Sequence, residues 1–435
     1  MSELPFMKAD ELLSGEMVGK RVRTRGWIYR TRHKGKMVFT VVRDSTGIIQ
    51  ATLFKGDMES ENDFEDAKKA LVESSVEVEG ILVEEPRAPG GCEIQVRRFK
   101  VIHFAEIFPI TKDQSEEFLM DKRHLWVRSR RLTAIAKIKH SLLKAAREWF
   151  NEQGFYEVTP PILTGSAAEG GATLFEVKYF GEKAYLSQSA QLYLEAMIFS
   201  LENVYSVTPS FRAEKSRTRK HLTEFWHLEA EEAWTGLEGN MKVQEELLAH
   251  IVRRVAEWNV KELEFLGRDP AELKKIETPF PRYRYAEALD NLRKKGVELE
   301  WGDDFGAPEE RKLTEDEELP IFITHWPKEA KAFYMRWDPE DTKVVLNNDM
   351  LAPRGYGEIF GASERETDVN HLIERLKAED ANIEDYDWYL DLRRYGSVQH
   401  SGFGMGVERV VAWLSNAEHI RETIPFPRTP SRIRP

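Results

Sequence analysis

Between Arg21 and about His103, apolar and polar residues alternate in short runs at 22–28, 38–42, 48–54, 75–82 and 93–101. A period of two marks strands with one buried face. Asp44-Ser45-Thr46-Gly47 reads as a turn before the third run and 63–72 as a helix after it, while Pro86, Pro89, Gly90 and Gly91 form a loop before the last run. Five strands with a helix between the third and fourth predict an OB-fold barrel over residues 1–104. Residues 105–130 read as a linker. From Leu132 to Asn151 the period becomes helical: Ile135, Ile138, Leu142, Ala145 and Trp149 share one face, and Gly154 stops the helix.

Beyond that helix the pattern predicts strands at 155–159, 173–179, 203–211 and 223–233, then a helix at 238–257. A charged, weakly periodic insertion is expected at 258–318. Strands are expected again at 320–324, 331–336 and 355–362, followed by a helix at 366–378 and a glycine-introduced helix from about 406. Consecutive strands outnumber strand–helix alternations, so the domain over 131–435 is expected to be α+β with a mostly antiparallel sheet.

The chain has 435 residues, enough for two domains, and 41% of them are apolar, enough to fill two cores. No apolar run approaches the roughly 18 to 20 residues of a membrane span, and no charged-then-apolar leader opens the chain. A cytoplasmic protein without a membrane partner is expected. The single cysteine, Cys92, excludes internal disulfides and a cysteine-built zinc site, so any metal would sit on carboxylates. A net charge of −12 argues against DNA or RNA coating the whole surface. Yet Lys20 to Arg43 carries nine Lys or Arg and no Asp or Glu, interleaved with Trp27, Tyr29 and Phe39. Such a patch suits single-stranded nucleic acid through phosphate attraction and base stacking; a solvated sheet face is the plainer alternative.

Two arginines stand in settings suited to a triphosphate: Arg212 in Ser-Phe-Arg-Ala-Glu (210–214) and Arg409 in Gly-Phe-Gly-Met-Gly-Val-Glu-Arg (402–409). One on a strand and one on the first turn of a helix can hold two parts of a nucleotide in line for displacement at phosphorus. The glycine triplet is no dinucleotide loop, since no βαβ unit surrounds it. Alone it reads equally as a strand-to-helix turn with Arg409 in a structural ion pair. Residues 212–229 read as two strands joined by a basic loop, with Arg212 and Glu214 on one face and Phe225, His227 and Glu229 on another. An arginine for phosphate, an aromatic for a base and carboxylates for polar groups then converge on one pocket.

At these residues the chain resembles the class II aminoacyl-tRNA synthetases of the aspartate, asparagine and lysine subgroup, most closely the archaeal-type asparaginyl members. Three ordered stretches carry the resemblance: the helix ending at Gly154-Phe155 and leading to Thr159-Pro160, Phe211 through Glu229, and Gly402 to Arg409. It implies an α+β class II catalytic domain behind the OB barrel, dimerised through the first stretch. It also implies ATP-dependent activation of L-asparagine and transfer to tRNA(Asn). Arg212 would bind the α-phosphate and Arg409 the far phosphates. Phe225 would stack on adenine, Glu214 would touch the adenosine or the acceptor end, and His221 would assist the phosphates. Asp349 and Glu358 match magnesium ligands. Ser189 and Gln191 match residues at the substrate's α-amino end, and Glu169 looks like part of a lid. In the barrel, Phe39 and Gln50 match residues that stack on and hydrogen-bond the central anticodon base, Arg30 and Arg32 match backbone-facing residues, and the loop at 86–91 is matched to the third base.

The resemblance also addresses the amino acid. Aspartyl relatives place a lysine where this chain has Leu194, and an aspartate where it has Glu229. Arg365 matches the arginine that reaches the side-chain carbonyl. Leu194, Glu229 and Arg365 are therefore expected around a carboxamide, where mismatched hydrogen-bonding groups separate substrates by roughly 10⁴-fold. Gln399 stands where relatives show proline, and Gly361 where an aspartyl relative offers a metal-binding serine. Two alternatives stay open: an aspartyl enzyme, including one that accepts both tRNAs, and a silent RNA-binding paralogue.

Overall fold

The computed structural model describes residues 4–168, 173–215 and 220–435. The chain divides into two compact units, Met1–Phe118 and Leu119–Pro435. In the first, strands β1 (Arg21–Lys34), β2 (Met37–Arg43), β3 (Ile48–Phe54), β4 (Ser75–Glu84) and β5 (Cys92–His103) close a barrel in the order β1-β2-β3-β5-β4. All neighbours run antiparallel except β3 and β5. Burial alternates along β2 and β4 as their sequences dictate: Val38, Val42, Val76, Val78 and Leu82 point inward, beside Ile28, Leu53, Ile94 and Phe99. Gly80 permits the closest approach, for a Cβ there would lie 2.1 Å from the Gln95 carbonyl oxygen where β4 slips register against β5. The expected helix is present as Glu61–Lys69.

The second unit is built on an eight-stranded sheet. Its members are β6 (Tyr156–Glu157), β10 (Asn203–Phe211), β11 (Glu224–Ala233), β12 (Arg282–Arg284), β13 (Ile321–Thr324), β14 (Asn347–Ala352), β15 (Gly357–Glu364) and β16 (His400–Gly406). Their order is β12-β13-β14-β15-β16-β11-β10-β6, antiparallel except at the two outermost pairs. A small sheet of β7 (Leu163–Thr164), β8 (Phe175–Tyr179) and β9 (Glu182–Leu186) stands beside it in the chain order. The helix Arg130–Glu152 starts at Ser129, whose side chain accepts from Leu132 N, and buries all five residues of its expected apolar face. It packs with the helix Leu237–Trp258 and with Val407–Ser415 into the main core, which holds Leu228, Phe360, Phe403 and Trp413.

The structure departs from the sequence expectations in four places. Residues 331–336 form no strand; the segment Lys328–Ala330 is a single tight turn, and Met335 joins Arg365 only through an isolated bridge. The strand β14, absent from the sequence reading, takes that place in the sheet. The glycine-rich stretch 402–406, for which no element was expected, belongs to β16 and runs directly into the glycine-introduced helix. The segment 258–318 contributes β12 to the sheet edge and packs Tyr285, Leu289 and Phe305 into a small core with Ile321, Ile323 and Trp326.

Candidate active site and nucleic-acid interface

The register of the central strands decides what meets. Ser210 faces Phe225, Thr208 faces His227 and Ser206 faces Glu229 across β10 and β11; Glu229 faces Gly404 and Glu231 faces Gly402 across β11 and β16. Residues 225, 227, 229 and 231 thus share one face, over a cavity of about 890 Å³. Arg212, Glu214, His221, Phe225, Glu229, Arg365, Asp349, Glu358, Arg409, Ser189 and Gln191 all line it. Six strands, β11 to β16, separate the two arginines in the chain, yet both line the cavity: Arg212 lies beyond the end of β10, and Arg409 is on the first turn after β16.

At one end Arg212 stands over the Phe225 ring with its guanidinium carbon 5.5 Å from the centroid. Arg409 Nη1 donates to a Glu358 carboxylate oxygen at 2.9 Å and to the Glu358 carbonyl at 3.1 Å. Burial, reinforced by Arg212 and Arg409, holds His227 well below the ordinary imidazole range, and burial with Arg409 also lowers His221. Both rings are therefore neutral hydrogen-bonding groups near pH 7. The positive charge of this end comes from the guanidinium groups.

Asp349 and Glu358 are brought to one point. A Cβ on Gly361 would meet a Glu358 oxygen at 3.3 Å and an Asp349 oxygen at 3.8 Å. Burial pushes Asp349 up, the Lys331 ammonium at 2.7 Å opposes this and the Glu358 carboxylate adds to it. Among the described residues no group of three or more His, Cys, Asp or Glu is placed to hold a metal ion. Two carboxylates without a full protein cage fit a hard divalent cation that takes its remaining oxygens from phosphate and water.

At the other end Arg365 grips Glu231, Nη2 to Oε1 at 2.5 Å and Nε to Oε2 at 3.2 Å. Burial pushes the Glu231 carboxyl up to about 8; Arg365 opposes this, while Glu195 and Glu229 add to it. The sequence expectation put Glu229 and Arg365 around one carboxamide, and both line the cavity; the oxygens of Glu229 accept from the Ser189 hydroxyl and from Ala190 N, the latter at 2.8 Å. Glu229 shapes the Ser189 turn, and Glu231 faces the guanidinium because Gly402, directly opposite, leaves room. Equal parity with Phe225 and Glu229 was the signal that could have found Glu231. Lys331 was missed because 331–336 was read as a strand.

Leu194 does not belong to the cavity. On the helix Gln191–Leu201 it points with Ile198 into an apolar cluster with Val204 and Ala233, and it is fully buried. A four-residue step places 194 and 198 on the same side, away from the cavity. Glu169 lies outside the described residues.

In the barrel unit, Phe39 belongs to the outer face, half-buried, with the Arg32 guanidinium 4.4 Å over its ring. Arg30 lies 5.2 Å over Tyr29. Gln50 Nε2 donates to Glu93 at 2.7 Å, and the same carboxylate oxygen accepts from Thr52 Oγ1 at 2.7 Å. Arg21, Arg23 and Arg43 are tied to Glu79, Glu77 and Glu73. Among the described residues, Arg30, Arg32, Lys34 and Lys36 form no ion pair, so the basic patch divides into a neutralised half and an available half.

Residues 115–430 match the family described as tRNA synthetases class II (D, K and N), and residues 22–102 match the OB-fold nucleic acid binding domain. The chain is 56% identical over 421 residues to an asparagine–tRNA ligase of Thermococcus kodakarensis, covering 97% of both. It is similar to the crystal structure of asparaginyl-tRNA synthetase from Pyrococcus horikoshii complexed with asparaginyl-adenylate, with a TM-score of 0.95, 54% identity and full coverage of both chains. The asparaginyl-tRNA synthetase of Entamoeba histolytica, also complexed with asparaginyl-adenylate, aligns over both full chains with a TM-score of 0.90 at 32% identity.

Proposed function

The chain belongs to the class II tRNA synthetases of the D, K and N group, and from that membership we propose the reaction its cavity performs. The protein is an asparagine–tRNA ligase. It activates L-asparagine with ATP and transfers the asparaginyl group to the 3′ end of tRNA(Asn). The observation that carries this reading is the shared cavity of Arg212, Arg409 and the Arg365–Glu231 pair.

In the first step an asparagine carboxylate oxygen bonds to the α-phosphorus of ATP as the bond to the pyrophosphate oxygen breaks. In the second a hydroxyl of the terminal tRNA adenosine attacks the adenylate carbonyl, and AMP leaves. No protein nucleophile is needed, so catalysis rests on positioning and on charge placed where it develops. Arg212 serves the α-phosphate, Arg409 the far phosphates and Phe225 the adenine, with Glu214 and His221 as polar contacts to the nucleotide. Ser189 and Gln191 take the α-amino end. Arg365 meets the side-chain carbonyl, and Glu231 beside it accepts from the amide NH₂. Asp349 and Glu358 would hold Mg²⁺, which when bound neutralises phosphate charge. Phe39, Gln50, Arg30 and Arg32 face the anticodon, through stacking, a base-edge hydrogen bond and phosphate contacts.

The enzyme is read as a cytoplasmic homodimer, testable by sedimentation velocity; no described helix is long and apolar enough to cross a membrane. ATP–pyrophosphate exchange with asparagine and with aspartate tests the activity. Exchange with asparagine, lost in Arg212→Ala while the protein stays folded, is expected. Exchange with aspartate alone would overturn the substrate assignment.

A further inference from the structure

Among the described residues, an ion pair with both side chains fully enclosed lies just behind the cavity. Glu195 and Arg393 are both 0% exposed at their side chains. Glu195 follows Gln191 by one turn on the helix Gln191–Leu201, so the two project to one side. Its Oε1 accepts from Gln191 Nε2 and from the Tyr389 hydroxyl, each at 2.9 Å, and its Oε2 from Arg393 Nη2 at 2.5 Å and His400 Nε2 at 3.1 Å. Tyr389 and Arg393 are a turn apart on the helix Asp387–Arg394, and His400 opens β16. Three elements thus converge on one carboxylate.

Packing does not require this arrangement. A buried ion pair adds little stability over well-packed apolar side chains of the same volume. What apolar residues cannot do is orient an amide. A carboxylate only accepts hydrogen bonds, so the Gln191 amide must turn its nitrogen toward Glu195. Its carbonyl oxygen is then the group that Gln191 offers to the cavity it lines. An amide at position 195 would allow Gln191 to present either end.

We infer that Glu195 is a positioning residue: by holding the Gln191 nitrogen it keeps the Gln191 carbonyl oxygen turned to the cavity, as the acceptor for the α-ammonium group of asparagine. Arg393, Tyr389 and His400 fix Glu195 in turn. The inference rests on the proposed reading of the cavity as an asparagine-activating site.

Its test compares asparagine with succinamate, which is asparagine without the α-amino group. Pyrophosphate exchange supplies the KM for asparagine and for ATP, and inhibition of exchange supplies the affinity for succinamate. Glu195→Gln should lower the preference for asparagine over succinamate at least tenfold, with KM for ATP changed less than twofold. Glu195→Asp keeps the charge opposite Arg393, and so the fold, but withdraws from Gln191; it should lower the preference as well. Gln191→Met leaves Glu195 its three other donors and should match Glu195→Gln. A purely structural role would weaken both ligands equally. Equal weakening, or a wild-type preference in any folded Glu195 variant, overturns the inference. A wild-type protein without asparagine-dependent exchange would instead overturn the functional reading, before any variant is made.

Discussion

The Arg365 guanidinium meets the Glu231 carboxylate through two of its nitrogens, at 2.5 and 3.2 Å, and both side chains are almost wholly buried. The pair supplies donors and an acceptor side by side, the two halves of a carboxamide's complement. Removing either partner strands the other in a site where an unpaired group costs several kcal/mol. Glu231→Gln and Arg365→Met are each expected to lower kcat/KM for asparagine in pyrophosphate exchange by about 10²-fold or more, with KM for ATP little changed.

The same carboxyl sets a pH dependence. Glu231 is pushed up to about 8 by burial, with Arg365 opposing and Glu195 and Glu229 adding to the rise. Above that pH it is ionised and repels the carboxylate of aspartate; below it, protonation removes the repulsion. The ratio of kcat/KM for asparagine to that for aspartate should therefore rise with pH between 6 and 9. A flat ratio would remove Glu231 from the discrimination.

Gly402 should tolerate no side chain. A Cβ there would lie 2.1 Å from the Glu231 carboxylate, which Arg365 pins in place. Gly402→Ala is expected to fold and to bind ATP, yet to lose asparagine activation roughly as far as Glu231→Gln does. Isothermal calorimetry with ATP and exchange with asparagine separate these two effects.

Glu232 has a different fate from its neighbour. Its carboxyl is nearly buried, one oxygen has no hydrogen-bond partner, and burial followed by the Glu231 charge raises it to about 8. Since the folded form keeps a proton that the unfolded form has lost above about pH 4.5, this group's contribution to stability falls as pH rises from about 4.5 to 8, by about 1.4 kcal/mol per unit, and is level beyond. Glu232→Gln should remove that slope and raise the melting temperature at pH 8. Urea unfolding at pH 6 and 8 measures it.

The barrel should be separable from the chemistry. Phe39→Ala removes the aromatic surface beneath Arg32, and a lost base stack costs about 1–3 kcal/mol. Aminoacylation of tRNA(Asn) should show a raised KM for tRNA, while tRNA-independent pyrophosphate exchange stays at the wild-type rate. Loss of exchange would instead mean that Phe39 supports the fold.

The barrel was legible because β2 and β4 alternate strictly over a filled interior, and the helix Arg130–Glu152 because only one of its faces is apolar. The helix Gln191–Leu201 was not. Gln-Leu-Tyr-Leu-Glu-Ala-Met-Ile-Phe-Ser-Leu is apolar on most sides, so it shows no period, and its burial on both sides explains why. The strand β16 was hidden by glycines, poor strand formers that stand there because the Glu231 carboxylate needs the space over Gly402.

The amino-acid sequence by itself determined the barrel, the antiparallel sheet and the two motifs whose arginines, Arg212 and Arg409, line the cavity, because periodicity and short motifs are local properties of the chain. Tertiary structure alone decided that Arg365 meets Glu231 rather than Glu229, that Leu194 turns into the core, and that Glu195 gathers donors from three elements. Those outcomes depend on the register between β11 and β16 and on which face of a helix is covered. Both are set by strands and helices meeting across more than a hundred residues, and spacing along the chain carries no record of them.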